Sequence, residues 1–336
     1  MDAQEWKDAF GFICSVEFWR MGVLWTLSLI YSYLQLFRQT LFSIKSKTYS
    51  PRCSPSSIAT KRPICIVTGA TSGLGAAAAC ALSREGYYVV LVGRSVDLLS
   101  KIASDIKEQS GDACVKAFQV DLSSFKSIWN FKREFQHWLS DMNMHCSVQL
   151  LINNAGILAT RRRVTTEGCD KIMATNYVGA FCLTKILLPL LQNSPIPSRV
   201  VNVTSFTHRN VCLLLFSYEL HRQVKLVEQS SQVSVIAVDP GAVKTNIMRE
   251  LPKCISQLAF FTLRLLGLLQ SSEEGVCSIL DAAFAPPEIS GVYFFGGNGR
   301  TLKSSPLSYN SKLAKDLWEA SSDLFIELQL ASGHTT

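Results

Sequence analysis

From Ile64 onward the chain alternates short, mostly apolar runs with longer stretches in which apolar residues recur every three or four positions. The short runs are "ICIV" (64–67), "YYVVLVG" (87–93), "VKAFQVDLSS" (115–124), "VQLLINNAG" (148–156), "SRVVNVTS" (198–205) and "VSVIAVDPGAVKTNI" (233–247). A strand that is apolar at nearly every position has both faces buried, the situation of a parallel sheet covered by helices on each side. Between the runs lie helical stretches such as "AAAACALSREG" (76–86), "MATNYVGAFCLTKILLPLL" (173–191) and "VCLLLFSYELHRQVKLVEQ" (211–229). In the last of these Leu213, Leu214, Phe216, Leu220, Val224 and Val227 form the side to be buried. The pattern predicts an α/β fold, one doubly wound parallel sheet of six strands with helices on both faces. Each strand ends on polar or glycine residues at its carboxyl end, where sheets of this kind hold ligands.

The first sixty residues differ. Between Arg20 and Arg38 runs "MGVLWTLSLIYSYLQLF" without a charge, close to the lower limit of about 17 residues for a bilayer span. Trp25, Tyr31 and Tyr33 are residue types favoured at membrane interfaces, and no small-residue cleavage signature follows. Arg38, Lys45, Lys47, Arg52, Lys61 and Arg62 follow the stretch, whereas Lys7 and Arg20 before it are accompanied by Asp2, Glu5, Asp8 and Glu17. The positive-inside bias then puts the following domain in the cytosol, with the endoplasmic reticulum as the expected membrane. A monotopic amphipathic anchor and a core helix at the domain edge remain open as alternatives. The expected organisation is a membrane-anchoring hydrophobic helix over 1–45, a Ser-, Pro- and Lys-rich linker over 46–62, and one domain over 63–330.

Charge and composition narrow the classes. A net charge of +7 over 336 residues is too small and too dispersed to point to nucleic acid, and the triplet Arg161, Arg162, Arg163 reads as a solvated loop. The eleven cysteines contain no CxxC pair and read as reduced thiols in a reducing compartment. The five histidines show no ligand spacing, so no metal site is expected.

The chemistry starts where "ICIV" runs into "TGATSGLG" (68–75) and then a helix. Gly69, Gly73 and Gly75 allow a tight turn and let backbone N–H groups approach a pyrophosphate at the helix N-terminus, a Rossmann-type dinucleotide site. The second strand ends in Gly93 and Arg94 with no acidic residue to hold a ribose 2′-hydroxyl. Arg94 suits a 2′-phosphate, which favours NADP(H) over NAD(H).

TGxxxGxG at 68–75, NNAG at 153–156, Asn176 near the start of a helix, Ser205 at a strand end and PGxVxT at 240–245 stand in the order of the short-chain dehydrogenase/reductase family. The chain resembles that family over about 64–330. "RRRVTTEGCDKIMATNYVGAFCLT" (161–184) and "GVYFFGGNGRTLKSSPLSYNSKLAKDLWEASSDL" (291–324) resemble its retinol-dehydrogenase and WW-domain-oxidoreductase branch. The resemblance implies that Gly69, Thr71, Ser72, Gly73, Leu74 and Gly75 hold the pyrophosphate. It implies that Asp121 and Leu122 meet adenine, Asn154, Ala155 and Gly156 the adenosine ribose, and Pro240, Gly241, Val243 and Thr245 the nicotinamide amide. Ser205 would bond the substrate oxygen, and Asn176 a water that relays protons. The family's acid/base is a tyrosine whose phenol is made more acidic by a lysine four residues later.

That pair is hard to find here. Tyr218 lies thirteen residues after Ser205, a spacing the resemblance accepts, but the residue four further on is Arg222. An arginine supplies charge without reproducing an ammonium. Measured from the other side, Tyr218 precedes Pro240 by twenty-two residues, where a covering helix plus strand implies roughly thirty-three. By that measure Phe206 and Asn210 occupy the tyrosine and lysine places. The simpler reading is a deletion between about Val211 and Cys212, as a skipped exon would leave. Tyr218 and Arg222 are then only stand-ins, and the first turn of the following helix lies where substrate and nicotinamide should meet.

Finally, "CISQLAFFTLRLLGLLQ" (254–270) is apolar but for Arg264. The resemblance makes it a substrate lid, and with the N-terminal anchor it points to a lipophilic small molecule such as a retinoid, sterol or polyprenoid. A buried helix or a homodimer surface would look the same. Together these readings describe an NADP(H)-dependent oxidoreductase acting on an alcohol/carbonyl pair. The alternative is a cofactor-binding pseudoenzyme or inactive isoform lacking the tyrosine and lysine.

Overall fold

The computed structural model describes residues 11, 14–41, 61–158, 163–205, 211–226, 233–248 and 253–332. The expected linker lies outside these residues up to position 60, as do Arg161, Arg162, Phe206, Asn210 and Val227. Helix α1 (Val16–Leu41) precedes the domain. The domain then runs β1 (Ile64–Thr68), α2 (Gly73–Arg84), β2 (Tyr88–Gly93), α3 (Val96–Gln109) and β3 (Cys114–Gln119). It continues through α4 (Phe125–Asp141), β4 (Leu150–Asn153), α5 (Lys171–Gln192), β5 (Ser198–Val203), α6 (Val211–Leu226) and β6 (Val233–Asp239). A short strand β7 (Ala242–Val243), helix α7 (Lys253–Leu265) and β8 (Leu269–Gln270) follow. Then come α8 (Ser272–Ala283), β9 (Val292–Phe295) and α9 (Ser311–Ala331).

Seven strands form one sheet in the order β3-β2-β1-β4-β5-β6-β9, and every pairing in it is parallel. Alternate residues of each strand feed two separate cores. Ile64, Ile66, Val90, Val92, Leu151 and Val200 pack under α4, α5, α6 and the partly buried side of α9. Cys65, Val67, Val89, Leu91, Ile152 and Val201 pack under α2 and α8. Both sets are apolar because both faces are covered, which is why the strand runs show no alternation. The order reverses between β1 and β4, and this opens a crevice at the carboxyl ends of the strands.

Three features differ from or refine the expectation. A seventh strand, β9, joins the sheet beside β6 with Ile236 opposite Val292 and Asp239 opposite Phe295. It is four residues long and set among glycines, too short for periodicity to mark it. The sixth predicted strand stops at Asp239, and Gly241 turns the chain at φ +79° into β7, which pairs with β8. Helix α5 contains a π turn over Ala174–Val178, which sets Asn176 out of the regular helical register.

Among the described residues α5 is the one helix long and apolar enough to cross a bilayer, and 72% of that stretch is buried within the domain. Phe181 of α5 meets Phe216 of α6 and Trp318 of α9, each at 5.4 Å between ring centroids, so its apolar length belongs to the core. Helix α1 lies against the domain through Leu29, which is fully buried beside Ala242, Phe295 and Leu302. Trp19, Val23, Leu27 and Tyr31 are exposed along α1, and Leu34 and Phe37 border a hollow with Tyr33, Leu266 and Leu268.

Arg199 of β5 fixes α8 against the sheet. Its buried guanidinium donates to the carbonyls of Ala282, Ala283, Ala285 and Pro286 and, through Nε, to Ser234 Oγ. The first two of these carbonyls end α8 and the other two belong to the turn after it, where helix-end acceptors need outside donors. Burial lowers the guanidinium only to about 10, so the charge persists at neutral pH and finds its compensation in carbonyl dipoles. Replacing Arg199 with Met should lower the unfolding free energy by about 3 kcal/mol in urea denaturation, because several buried acceptors lose their donor together.

Candidate active site

The crevice holds a cavity of about 300 Å³ at the carboxyl ends of β1, β2, β4, β5 and β6. Its floor begins at the loop between β1 and α2, where Gly69, Thr71, Ser72 and Leu74 line the space. Gly75 is required by packing. A Cβ there would press into the Gly69 carbonyl oxygen and stand 2.5 Å from Asn154 Nδ2. The absence of that Cβ lets the first turn of α2 sit directly on the sheet edge. Thr68 and Asn154 lock the same edge. Asn154 Nδ2 donates to the Thr68 carbonyl at 2.9 Å, and Thr68 Oγ1 accepts from the N–H groups of Asn154 and Ala155.

The side chain of Ser72, the residue before α2, makes no capping hydrogen bond. The corresponding Ser95, Ser124, Ser271 and Asn310 each accept from their own helices. The first-turn N–H groups of α2 therefore face the cavity without a side-chain acceptor, and no acidic residue occupies that turn. Arg94 lines the cavity at the end of β2, is exposed, and has no ion-pair partner among the described residues. No carboxylate lines the cavity among those residues. A cradle of open N–H groups beside a guanidinium fits the phosphates of a dinucleotide.

Farther along, Asn154, Ala155, Gly156, Leu122, Asn176, Ser205, Pro240, Gly241, Val243 and Thr245 all line the same cavity. Asp121 stands apart from them. Its carboxylate accepts from the N–H and hydroxyl of Ser123 and shapes the turn that presents Leu122. Asn176 uses both ends of its amide on Ile157, accepting from its N–H at 2.8 Å and donating to its carbonyl at 2.9 Å. Beside it, the buried hydroxyl of Thr175 lines the cavity with no hydrogen-bond partner among the described residues. Composition gave no sign of Thr175; its place next to Asn176 in the sequence was the available clue.

A family model described as short chain dehydrogenase matches residues 63–255, more than half of the chain. The chain belongs to the short-chain dehydrogenase family. It is 31% identical to a human polyprenol dehydrogenase over 293 residues, covering 78% of this chain and 84% of that protein. Mouse retinol dehydrogenase 12 is 29% identical over 329 residues, covering 90% of this chain and 98% of that protein. A solved short chain dehydrogenase from Shigella flexneri 2a, complexed with NADP, superposes with a TM-score of 0.55 at 21% identity. That superposition covers 70% of this chain and 96% of that one, and it bears on the fold alone. Membership of this branch of the family, an oxidoreductase lineage, agrees with the order of motifs along the chain.

The catalytic end of this family member is built differently from its cofactor end. The first turn of α6 brings Leu213 onto the cavity wall near Val203, Thr204 and Ser205. Tyr218 is one turn farther on and is not among the lining residues. Its phenol is buried against Ser304 at 2.8 Å, and its ring stacks on Tyr309 at 5.3 Å. Burial pushes that phenol well up, opposite to what an acid/base tyrosine requires. Arg222 spends its Nε on Glu219 at 2.7 Å. The structure thus brings neither Tyr218 nor Arg222 to Ser205, because the face of α6 that carries them packs on the C-terminal segment. Among the described residues Arg94 is the only titratable side chain lining the cavity.

Behind the cavity lies a carboxyl that the sequence reading passed over. Asp239 is fully buried, with Oδ1 accepting from Gly241 N–H at 2.8 Å and Oδ2 from the Tyr293 hydroxyl at 3.0 Å. Its sequence signal was a lone charge ending an apolar run. Burial raises it from 3.8 to about 7, against those two stabilising bonds. A carboxyl raised in the folded state contributes stability below its ordinary value, and that contribution is lost as pH rises to about 7. The melting temperature of Asp239→Asn relative to the unmodified chain should therefore climb between about pH 4 and about pH 7. A difference independent of pH would contradict the assignment.

Proposed function

We propose that this chain uses NADP(H) on an alcohol/carbonyl pair carried by a lipophilic small molecule, at a membrane surface. The observation that carries the reading is the single cavity in which the open first turn of α2, Arg94 and the segment 240–245 meet Ser205. NADPH would supply the hydride. The residues at 72–75 and Arg94 would hold its phosphates, and the segment 240–245 its nicotinamide half. Ser205 would orient a carbonyl oxygen. The far wall is apolar, formed by Ile157, Ile172, Leu213, Met248, Phe260 and Leu263, which suits a hydrocarbon substrate. Similarity to a polyprenol dehydrogenase and a retinol dehydrogenase supports the same class. The exposed apolar side of α1, together with Phe261 and Leu265 of α7, supports attachment to the cytosolic face of a membrane such as the endoplasmic reticulum.

A second reading rests on a specific observation. With no titratable group but Arg94 on the described cavity wall, the chain would bind cofactor and substrate while turning them over slowly, as a pseudoenzyme does. Loss of a positioned general acid costs about a hundred- to ten-thousandfold in rate.

A thermal-shift titration of the full chain with NADPH and NADH tests the cofactor assignment. NADPH should raise the melting temperature in a saturable way and more than NADH does. Arg94→Glu should weaken NADPH binding by about tenfold or more while changing NADH little. A melt indifferent to both nucleotides would remove the reading.

A further inference from the structure

The N-terminal helix reaches the cofactor cleft from behind. Tyr33 of α1 packs edge-on against Phe295 at 5.4 Å, and its hydroxyl accepts from Gln270 Nε2 at 3.0 Å. The same Nε2 lies 3.4 Å from the Pro240 carbonyl. Through its backbone Gln270 pairs with Val243, and its carbonyl accepts from Lys244 N–H at 2.9 Å. Gln270 therefore touches α1 and, through Pro240 and Lys244, both ends of the segment whose inner face lines the cavity. Gly241 confirms how close the approach is. A Cβ there would stand 3.0 Å from the Tyr33 hydroxyl and 3.2 Å from Gln270 Nε2. Leu29, one turn before Tyr33, is fully buried against Ala242 of the same segment.

We infer that α1 is a structural part of the cofactor site, and that Tyr33, acting through Gln270, is a positioning residue for the segment 240–245. Asp239, which accepts from Gly241 N–H, and Ser272, whose hydroxyl donates to the Lys244 carbonyl, hold the segment from the domain side; α1 and Gln270 hold it at Pro240 and Gly241. The segment has left the sheet at Asp239, its strand β7 is two residues long, and its partner β8 is equally short. Its inner face lines the cavity, so its outer face must be supported from behind, and α1 supplies that support. Seating α1 on the domain and ordering the nicotinamide half of the cleft are one event. The helix that carries the apolar outer surface is thereby coupled to cofactor affinity. This inference rests on the cofactor reading above for its consequence, and on the geometry alone for the coupling between α1 and the segment.

The test uses the full chain in detergent with Tyr33→Phe, Tyr33→Ala and, as a control on the exposed side of α1, Leu27→Ala. Amide hydrogen exchange without nucleotide reads the segment directly. Tyr33→Ala should speed exchange at Ala242, Val243 and Lys244 while β1 and β4 stay as in the unmodified chain. NADPH titration should show weakening of about fivefold in Tyr33→Ala. In Tyr33→Phe, which keeps the packing and loses only the hydrogen bond, it should be about threefold. Leu27→Ala should change neither measurement. Unchanged exchange at 242–244 in Tyr33→Ala would overturn the inference, as would faster exchange throughout the domain, which would mean a general loss of stability. If the unmodified chain takes up no NADPH, the functional reading falls, and the exchange comparison by itself decides whether α1 holds the segment.

Discussion

The site depends on the close approach of the first turn of α2 to the carboxyl edge of β1 and β4. Gly75 sits where a Cβ would collide with the Gly69 carbonyl and Asn154, and Asn154 in turn is pinned to Thr68 by two hydrogen bonds, with a third from Ala155 N–H. With that contact made, the N–H groups of the helix point into the crevice and Arg94 closes its far end. All of these residues precede position 160. They fold against strands β1 to β4 and do not depend on the region around 206–210.

This independence explains how the two ends of the cleft can differ. Helix α6 still covers the sheet, with Leu213, Leu214, Phe216, Leu220 and Val224 buried as its periodicity predicts. Its buried hydroxyl at Ser217 even joins a polar chain through Asn202 and Asn153 to Thr184, tying α6, β5, β4 and α5 together. The helix thus serves the fold fully. What changes is the wall it gives to the cavity: an apolar first turn with Leu213, and a tyrosine committed to Ser304 and Tyr309 on the opposite side.

Much of this was legible in the chain. Six strands, the glycine loop and the buried side of α6 follow from residue type and spacing, and the cavity-lining positions at 154–156 and 240–245 from the resemblance to the family. The rest was not, for physical reasons. Strand β9 is four residues between glycines, too short for a period to emerge. Asp239 gave no signal beyond a lone charge ending an apolar run, because its full burial is a tertiary fact. Tyr218 satisfied one spacing rule and failed another, and only its direction on α6 decides between them. In α1, Leu29 and Tyr33 belong to the same apolar run as the exposed Leu27 and Tyr31, so hydropathy alone could not separate the side that meets the domain from the side that faces outward.

The central claim is that Tyr218 supports the fold and does not donate the proton. The most direct measurement is a single turnover of NADPH by excess protein with a long-chain aldehyde, followed by loss of nicotinamide absorbance, in the unmodified chain and in Tyr218→Phe. The expected result is oxidation at least about a hundredfold slower than in a relative that carries the tyrosine–lysine pair, at the same rate in both proteins. Rapid oxidation that disappears in Tyr218→Phe would contradict it.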